Sequence, residues 1–521
     1  MKNKIKKYFP YILFFLLIIF YFQYSVTITW DSTHYMSYVE IFEGKLGWNT
    51  WDVVRGPIFP LIIYIGNILF SKTSQGLIML TFIFYLLMLY FSYQIVNNFI
   101  DKFNFKIKTK KIIKIIIMFS IITNPIIFGF YHCLLTEFVA ITLSIIGCYF
   151  APKWVNSDFY NNKKIYIKYS LLFILLTIVS WFLKQPYVSA GLFIFVIAYF
   201  ISIFEKRTKR NFMVRSCTLL ICILSLFVSI KSWNLLLRKM GNDPSTGRNP
   251  TNSLGIQIIN AIDYLEIKDG DEIYSEEYII NSKLTKKDKK EALNMLENDN
   301  YYVIVNYIDE NKVIKSKLIK RSKDEISTFY SLKYLGKEFI KNPIKISQSY
   351  LNNYLATIDV YSTVSEDGVG YRVSKKFKFD FSSEIGAIAF KPYYYNQSNI
   401  FYVLPNMYER VEQYEQKNMA FVGLNFLMQK IGLIWLILFK IIFLLLPISF
   451  IISIIYRIKS RNSNKYNVNI SIILLGYSVL HVLLHAFTGA ILDRYIVPAL
   501  ITSYLGIIFL FICIFSKKHN E

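Results

Sequence analysis

Acids are scarce wherever this chain is apolar. The 521 residues include 35 Asp+Glu against 59 Lys+Arg, and 25 of those acids lie within residues 241–420. The rest of the chain holds only 10 acids beside 35 bases. Cysteine is scarce too. The five cysteines, at 133, 148, 217, 222 and 513, form no CxxC pair and lie in or beside apolar runs. They read as small apolar residues, with no disulfide framework or zinc site. There is no internal repeat and no low-complexity tract. The polar part lacks a basic stripe interleaved with stacking aromatics, which excludes a nucleic-acid surface.

What the chain has in excess is apolar surface. It is 54% hydrophobic and 17% aromatic, with mean hydropathy +0.36. Water-soluble proteins sit at roughly 45–50% apolar, so composition alone defines a polytopic membrane protein. Runs long enough to cross a bilayer fall near 8–29, 75–97, 112–130, 134–151, 167–183, 187–204, 216–237, 431–456, 468–488 and 495–515, which predicts ten helices. The first run follows a basic leader, is about 20 residues long and lacks a small-residue cleavage site, so it reads as an uncleaved span.

Charge sets the orientation. With the N-terminus inside, the inner segments carry 24 Lys and Arg and the short outer loops carry five: Lys45, Arg55, Lys72, Lys184 and Arg494. "GPIFPLIIYIGNILF" (56–70) is only 15 residues long and holds two prolines. Were it a span, every Lys-rich loop after it would face outward. It therefore reads as a re-entrant or interfacial segment within one outer loop, 30–74. Three parts follow: a membrane module at 1–237, an extracytoplasmic polar domain at 238–430, and a C-terminal membrane segment at 431–521. Within the polar domain, Thr285 is expected to cap a surface helix. "YYVIVNYI" reads as a strand. "NPIKISQSYLNNYLATI" reads as a helix with Pro343 in its first turn. "YERVEQYEQKNMAFVGLNFLMQKI" is expected to run helically into the eighth span.

Ionisable residues at span ends are costly and are default site candidates. The outer face gathers Asp31, His34, Glu40, Glu43, Asp52 and Arg55 from "WDSTHYMSYVEIFEGKLGWNTWDVVRGPIFPL". It gathers His132 and Glu137 from "FGFYHCLLTEFVAITL", Lys184 from "WFLKQPYVSAG", and His485, Asp493 and Arg494 from "HAFTGAILDRYIVPAL". Asp31 suits a helix N-cap, with the helix stopping at Gly44, and equally a general base or metal ligand. Glu137 sits in a short, otherwise uncharged hairpin near lipid depth. Lys184 and Arg494 suit snorkelling or the binding of a phosphate or pyrophosphate, and Arg55 could bind such an anion too. His481 and His485 share a helical face, but no acid on that helix completes a metal set.

In this order, these residues resemble the GT-C superfamily of integral-membrane glycosyltransferases, especially protein O-mannosyltransferases and lipid A aminoarabinose transferases. Four segments carry the resemblance. They are Asp31 followed by "RGPIFPLIIY", Glu137 in "LLTEFVAITL", Lys184 in "WFLKQPYVSAGLF", and Arg494 in "DRYIVPAL". Two features depart from the pattern: the first acid stands alone in "DS", and the polar domain is inserted after the seventh span. The resemblance implies an all-α GT-C-like fold of about ten spans carrying an extracytoplasmic mixed α/β domain. It implies transfer of a sugar, with inversion, from a polyprenyl-phosphate donor to an extracytoplasmic acceptor. Asp31 would be the base, with Glu137 assisting or substituting. Arg55, Lys184 and Arg494 would hold the phosphate, with His34, His485 and Asp493 accessory. The superfamily admits a divalent metal. The alternatives are an O-antigen-type polymerase or ligase, a lipid or glycan transporter, and a non-catalytic scaffold. The near-neutral outer domain argues against the first. The lack of paired broken helices argues against the second, and the carboxylates gathered at span ends argue against the third.

Overall fold

The structure is a computed structural model. It describes residues 15–51, 55–205, 208–241, 265–268, 280, 284–287, 289–290, 293, 302–308, 314–320, 332, 335–336, 339–366, 370–377, 384–394, 396–401, 403, 405–417, 420–460, 465–488 and 493–516. The chain is a polytopic helical membrane protein. Among the described residues eight helices are long and apolar enough to cross a membrane, or nine if one bent pair counts as a span.

The first helix, α1, is described from residue 15 to 22. The elements after it are α2 (Trp30–Phe42), α3 (Ile58–Phe70), α4 (Ser74–Ile100), α5 (Ile107–Ile122), α6 (Pro125–Tyr131), α7 (Thr136–Asn156), α8 (Lys163–Leu183), α9 (Leu192–Glu205) and α10 (Lys209–Lys239). Beyond the polar stretch come α11 (Pro343–Thr357), α12 (Glu384–Ala389), α13 (Val422–Lys459), α14 (Lys465–Thr488) and α15 (Leu500–Ser516). The most enclosed of the spans is α14, and α10 is the least.

The expected span 8–29 stops short. Its helix ends by residue 22, and Thr27 and Ile28 are extended. Thr27 bridges Cys133 and Ile28 bridges Ile400, both in parallel. The Thr27 amide donates to the His132 carbonyl at 2.7 Å, and the Thr27 carbonyl accepts from the Leu134 amide at 2.9 Å. Buried backbone groups need partners, and here two distant segments supply them. The expected span 112–130 is also broken. Helices α5 and α6 meet at 53°. The Asn124 side chain caps α6 by accepting from the Ile126 and Ile127 amides, with Pro125 in the first turn. The expected spans 187–204 and 495–515 open on 3-10 turns, Gln185–Ala190 before α9 and Asp493–Ala499 before α15. In the second, Pro498 cannot donate to the preceding turn. The segment 56–70 contains α3, 13 residues long, too short to span.

The polar stretch is not uniform. Residues 242–264 and most of the expected helix after Thr285 lie outside the described residues. Strands β1 (Leu265–Lys268), β2 (Tyr302–Ile308) and β3 (Ile314–Lys320) form an antiparallel sheet in sequence order, with Ile304 opposite Leu318. Strands β4 (Tyr361–Glu366) and β5 (Gly370–Phe377) form an antiparallel pair. Helices α11 and α12 pack against the other helices. The Tyr354 hydroxyl donates to the Phe443 carbonyl of α13 at 2.6 Å, and the Asn353 amide donates to Ala486 of α14 at 3.3 Å. Helix α12 lies so close to α6 that a side chain at Gly129 would overlap the Ala389 backbone. The expected helical run from 408 into the eighth span is absent, because α13 begins only at Val422. Residues 415–417 are occupied elsewhere: the Gln416 carbonyl accepts from the Asn399 amide at 3.1 Å, and Lys417 bridges Ser398.

Candidate functional site

The extended residues 27–28 deliver the chain into α2 and place Asp31 against the bundle. Thr29, not Asp31, is the N-cap of α2. The Thr29 amide donates to Ser32 Oγ at 3.0 Å, and Ser32 Oγ donates to the Leu134 carbonyl at 2.8 Å. Asp31 is thus released from capping, which corrects the expected N-cap role. It remains in the first helical turn, where the positive end of the helix favours a carboxylate. Gly44 does terminate the helix as expected, at φ 73, the left-handed conformation glycine adopts without strain.

The buried Asp31 carboxylate meets Arg494 from the 3-10 turn before α15. Arg494 Nη2 donates to Asp31 Oδ2 at 2.6 Å. On the same guanidinium, Nε lies 3.8 Å from Glu137 Oε1. Glu137, in the first turn of α7, also accepts from Thr136 Oγ1 at 3.2 Å. One guanidinium therefore faces two carboxylates from separate segments, which keeps the pair within roughly 10 Å.

Arg55 approaches from the other side. Its Nη2 lies 3.7 Å from Asp31 Oδ1, and its Nη1 donates to the Tyr35 hydroxyl at 3.2 Å. Tyr35 stands one turn beyond Asp31 on the same face of α2. The Arg55 backbone is held by buried Trp51, whose Nε1 donates to the Arg55 carbonyl at 2.9 Å. Any side chain at Gly56 would overlap the Phe182 carbonyl, so glycine there lets the loop lie on α8.

Lys184 completes the cluster. Its Nζ lies 3.8 Å from the centre of the Tyr495 ring and 5.8 Å from that of Tyr187. Among the described residues no carboxylate lies within 4.0 Å of it. The Tyr495 ring is 5.5 Å from His485, which packs edge-on against His481 at 4.9 Å. His481 is committed to structure. Its Nε2 must donate to the Tyr495 carbonyl at 2.9 Å, so its Nδ1 accepts from Ser189 at 2.7 Å. His485 differs, for among the described residues neither of its buried ring nitrogens has a hydrogen-bond partner, nor has the Tyr187 hydroxyl. Unpaired buried polar atoms are uncommon and ask for an explanation.

The electrostatics favour an anion. Three cations, Arg55, Lys184 and Arg494, face two carboxylates. Burial alone would raise the Asp31 pKa, but Arg494, Lys184 and Arg55 outweigh it and hold the carboxyl below its ordinary value. Burial would lower that of Lys184, but Tyr495, Glu137 and Tyr35 outweigh it, and the ammonium is held more firmly than usual. Arg55 is likewise held charged, with burial opposed by Tyr35 and Asp31.

The remaining candidates are not in this cluster. Asp493 serves the backbone, accepting from the Arg494 amide at 2.8 Å and the Ile385 amide at 3.4 Å. His34 packs edge-on against half-exposed Trp30. His132 is a core residue whose ring nitrogens face the Phe128 and Tyr21 carbonyls. Glu40 pairs with Arg410 at 3.2 Å, and Glu43 pairs with Lys45 and Lys72. Asp52 lies outside the described residues. Among the described residues no three His, Cys, Asp or Glu side chains come together as a metal site. Sequence reasoning missed Tyr35, Tyr187 and Tyr495. Only their spacing from Asp31, Lys184 and Arg494 signalled them.

No family model, no curated protein and no solved structure matches the chain. By its fold it is a polytopic helical membrane protein in which buried Asp31, Glu137 and Arg494 cluster with half-buried Arg55 and Lys184 at one end of its spans.

Proposed function

We propose that this protein is a GT-C-type membrane glycosyltransferase that moves a sugar, with inversion, from a polyprenyl-phosphate donor to an extracytoplasmic acceptor. In this reading both termini are cytoplasmic. Residues 238–430 form an extracytoplasmic mixed α/β region, and the cluster faces the outer leaflet. One observation carries the proposal: Arg494 is shared by Asp31 and Glu137, while Lys184 beside it has no carboxylate partner among the described residues.

The division of labour follows from those contacts. Arg494 is largely spent on the two acids and orients them. Lys184 is the cation left to receive phosphate, with Arg55 at the rim. The Tyr187 hydroxyl and His485 imidazole, without hydrogen-bond partners among the described residues, supply donors for phosphate oxygens as charge develops on the leaving group. Asp31, or Glu137 in its place, takes the proton of the attacking hydroxyl. A divalent metal is not required by this arrangement of charges.

The test is transfer from a polyprenyl-phosphate sugar by Asp31→Asn and Glu137→Gln proteins that insert normally. At least one is expected to lose transfer. Full transfer by both would refute the assignment.

A further inference from the structure

Helix α11 belongs to the stretch expected to be water-soluble, yet its anchors lie at membrane depth. The basic end of α13, at Arg457 and Lys459, marks one membrane face. Counting back along that helix at 1.5 Å per residue puts Phe443 about 21 Å from Arg457. Lys440 lies about 26 Å away on the same scale, inside a hydrocarbon layer of about 30 Å. The Phe443 carbonyl accepts from Tyr354 of α11 at 2.6 Å. Lys440 pairs at 3.2 Å with buried Asp359, just past the end of α11. An ion pair at that depth tolerates a charge that hydrocarbon alone would not.

The outward side of α11 agrees with this depth. Ile344 and Leu351 on the helix are 80% and 56% exposed, and Ile340 just before it is 82% exposed, interspersed with Lys341 and Lys345. Such a mixture suits the boundary between headgroups and acyl chains. On its other side α11 walls an apolar groove of about 330 Å³, lined by Tyr350, Phe193, Leu480, Leu483, Leu484 and Phe487. Tyr350 stacks on Phe487 at 5.1 Å. The groove is continuous with the lipid-facing surface, since Leu483 is 45% exposed. It also shares α14 with His485, at the end of the spans that bears the cluster.

We propose that α11 lies within the bilayer, in the leaflet that bears the Asp31–Arg494 cluster, and that with α9 and α14 it forms a slot for one hydrocarbon chain of a membrane lipid. Depth and surface chemistry define the slot. It stands whether or not the protein transfers sugar.

The test uses the full chain in lipid nanodiscs with the exposed Cys217 replaced by Ser. Nitroxide labels are placed by Ile344→Cys and Leu351→Cys, with Lys286→Cys as a reference in the polar stretch. Collisions with oxygen should exceed those with a water-soluble nickel chelate at 344 and 351, and the order should reverse at 286. Equal nickel access at all three positions would overturn the depth assignment. A phospholipid with a photoreactive acyl chain should crosslink to the peptide holding Tyr350 and to that holding Phe487. Crosslinks to α13 with none to these peptides would overturn the slot.

Discussion

Arg494 binds Asp31 at 2.6 Å across 463 residues of sequence, and so ties the last span to the first helix after α1. Because both side chains are buried, removing one strips the other of its nearest counter-charge and leaves only the more distant Arg55 or Glu137. That costs about 3–5 kcal/mol. Arg494 also faces Glu137, so Arg494→Ala should be the more damaging truncation. Its melting midpoint in detergent should fall well below that of the parent chain. Adding Asp31→Asn should restore part of the loss, since the stranded carboxylate is then neutral. A simple sum of the two single effects would mean that the pair does not couple.

Acid should loosen the same tie. The folded-state pKa of Asp31 lies below its ordinary value, so the unfolded chain takes up a proton first as pH falls. The ion pair's contribution is complete above the unfolded value, about 3.9, and is lost as pH drops through the folded one. Stability from this source should be flat from pH 7 to about pH 5 and decline below about pH 4. Melting curves at stepped pH should show a smaller acid-induced decline for Asp31→Asn. An identical decline in both proteins would place the acid-labile group elsewhere.

The cationic end should discriminate phosphate from alcohol. A hydrogen bond to a charged group contributes about 1.5–3 kcal/mol, equivalent to roughly 10–100-fold in affinity. Lys184→Gln should weaken binding of a short prenyl phosphate by that factor. Tyr187→Phe and His485→Leu should each weaken it less. None should alter binding of the corresponding prenol. Calorimetry in detergent micelles reads both ligands, and equal losses for phosphate and prenol would refer the effect to packing.

The parts of this molecule that were legible in its sequence are those that depend on composition. Spans such as Ser74–Ile100 and Lys465–Thr488 follow from apolar length alone. The break before α6 was written in Asn124 and Pro125 but hidden by the apolar residues on both sides. The early end of α1 was signalled only by the β-branched run "VTIT" at 26–29, which suits an extended chain. Its partners, Cys133 and Ile400, are set by tertiary contact that no local pattern encodes. The residue types of the cluster could be sorted to one face by counting charges. That Arg494 would be claimed by two carboxylates while Lys184 stood without one among the described residues could not, because pairing at such separation depends on how α7 and the 3-10 turn pack. The inclusion of Pro343–Thr357 in the bundle was equally illegible, since its Asn and Ser residues read as water-facing until Asn353 is seen to bond the α14 backbone.

Asn399 gives the final test of how the polar stretch governs the cluster. Its Nδ2 donates to the Val26 carbonyl at 2.7 Å and the Tyr414 carbonyl at 3.0 Å, and its Oδ1 accepts from the Gln416 amide at 2.7 Å. Its backbone carbonyl accepts from Ile28 at 2.8 Å. One side chain thus clamps the extended residues that carry Asp31 to a loop more than 360 residues away. Asn399→Ala strands buried backbone groups at about 1–3 kcal/mol each. It should expose residues 396–417 to limited proteolysis and let a thiol at Thr29→Cys react with a water-soluble maleimide. Asn399→Asp should be worse, because a carboxylate would then face the Val26 and Tyr414 carbonyls. Both variants leave the Asp31, Glu137 and Arg494 side chains unchanged. A fall in transfer activity that tracks maleimide reactivity therefore means that the polar stretch acts by holding Asp31 in place, whereas full activity in a clipped, reactive protein would separate the clamp from the site.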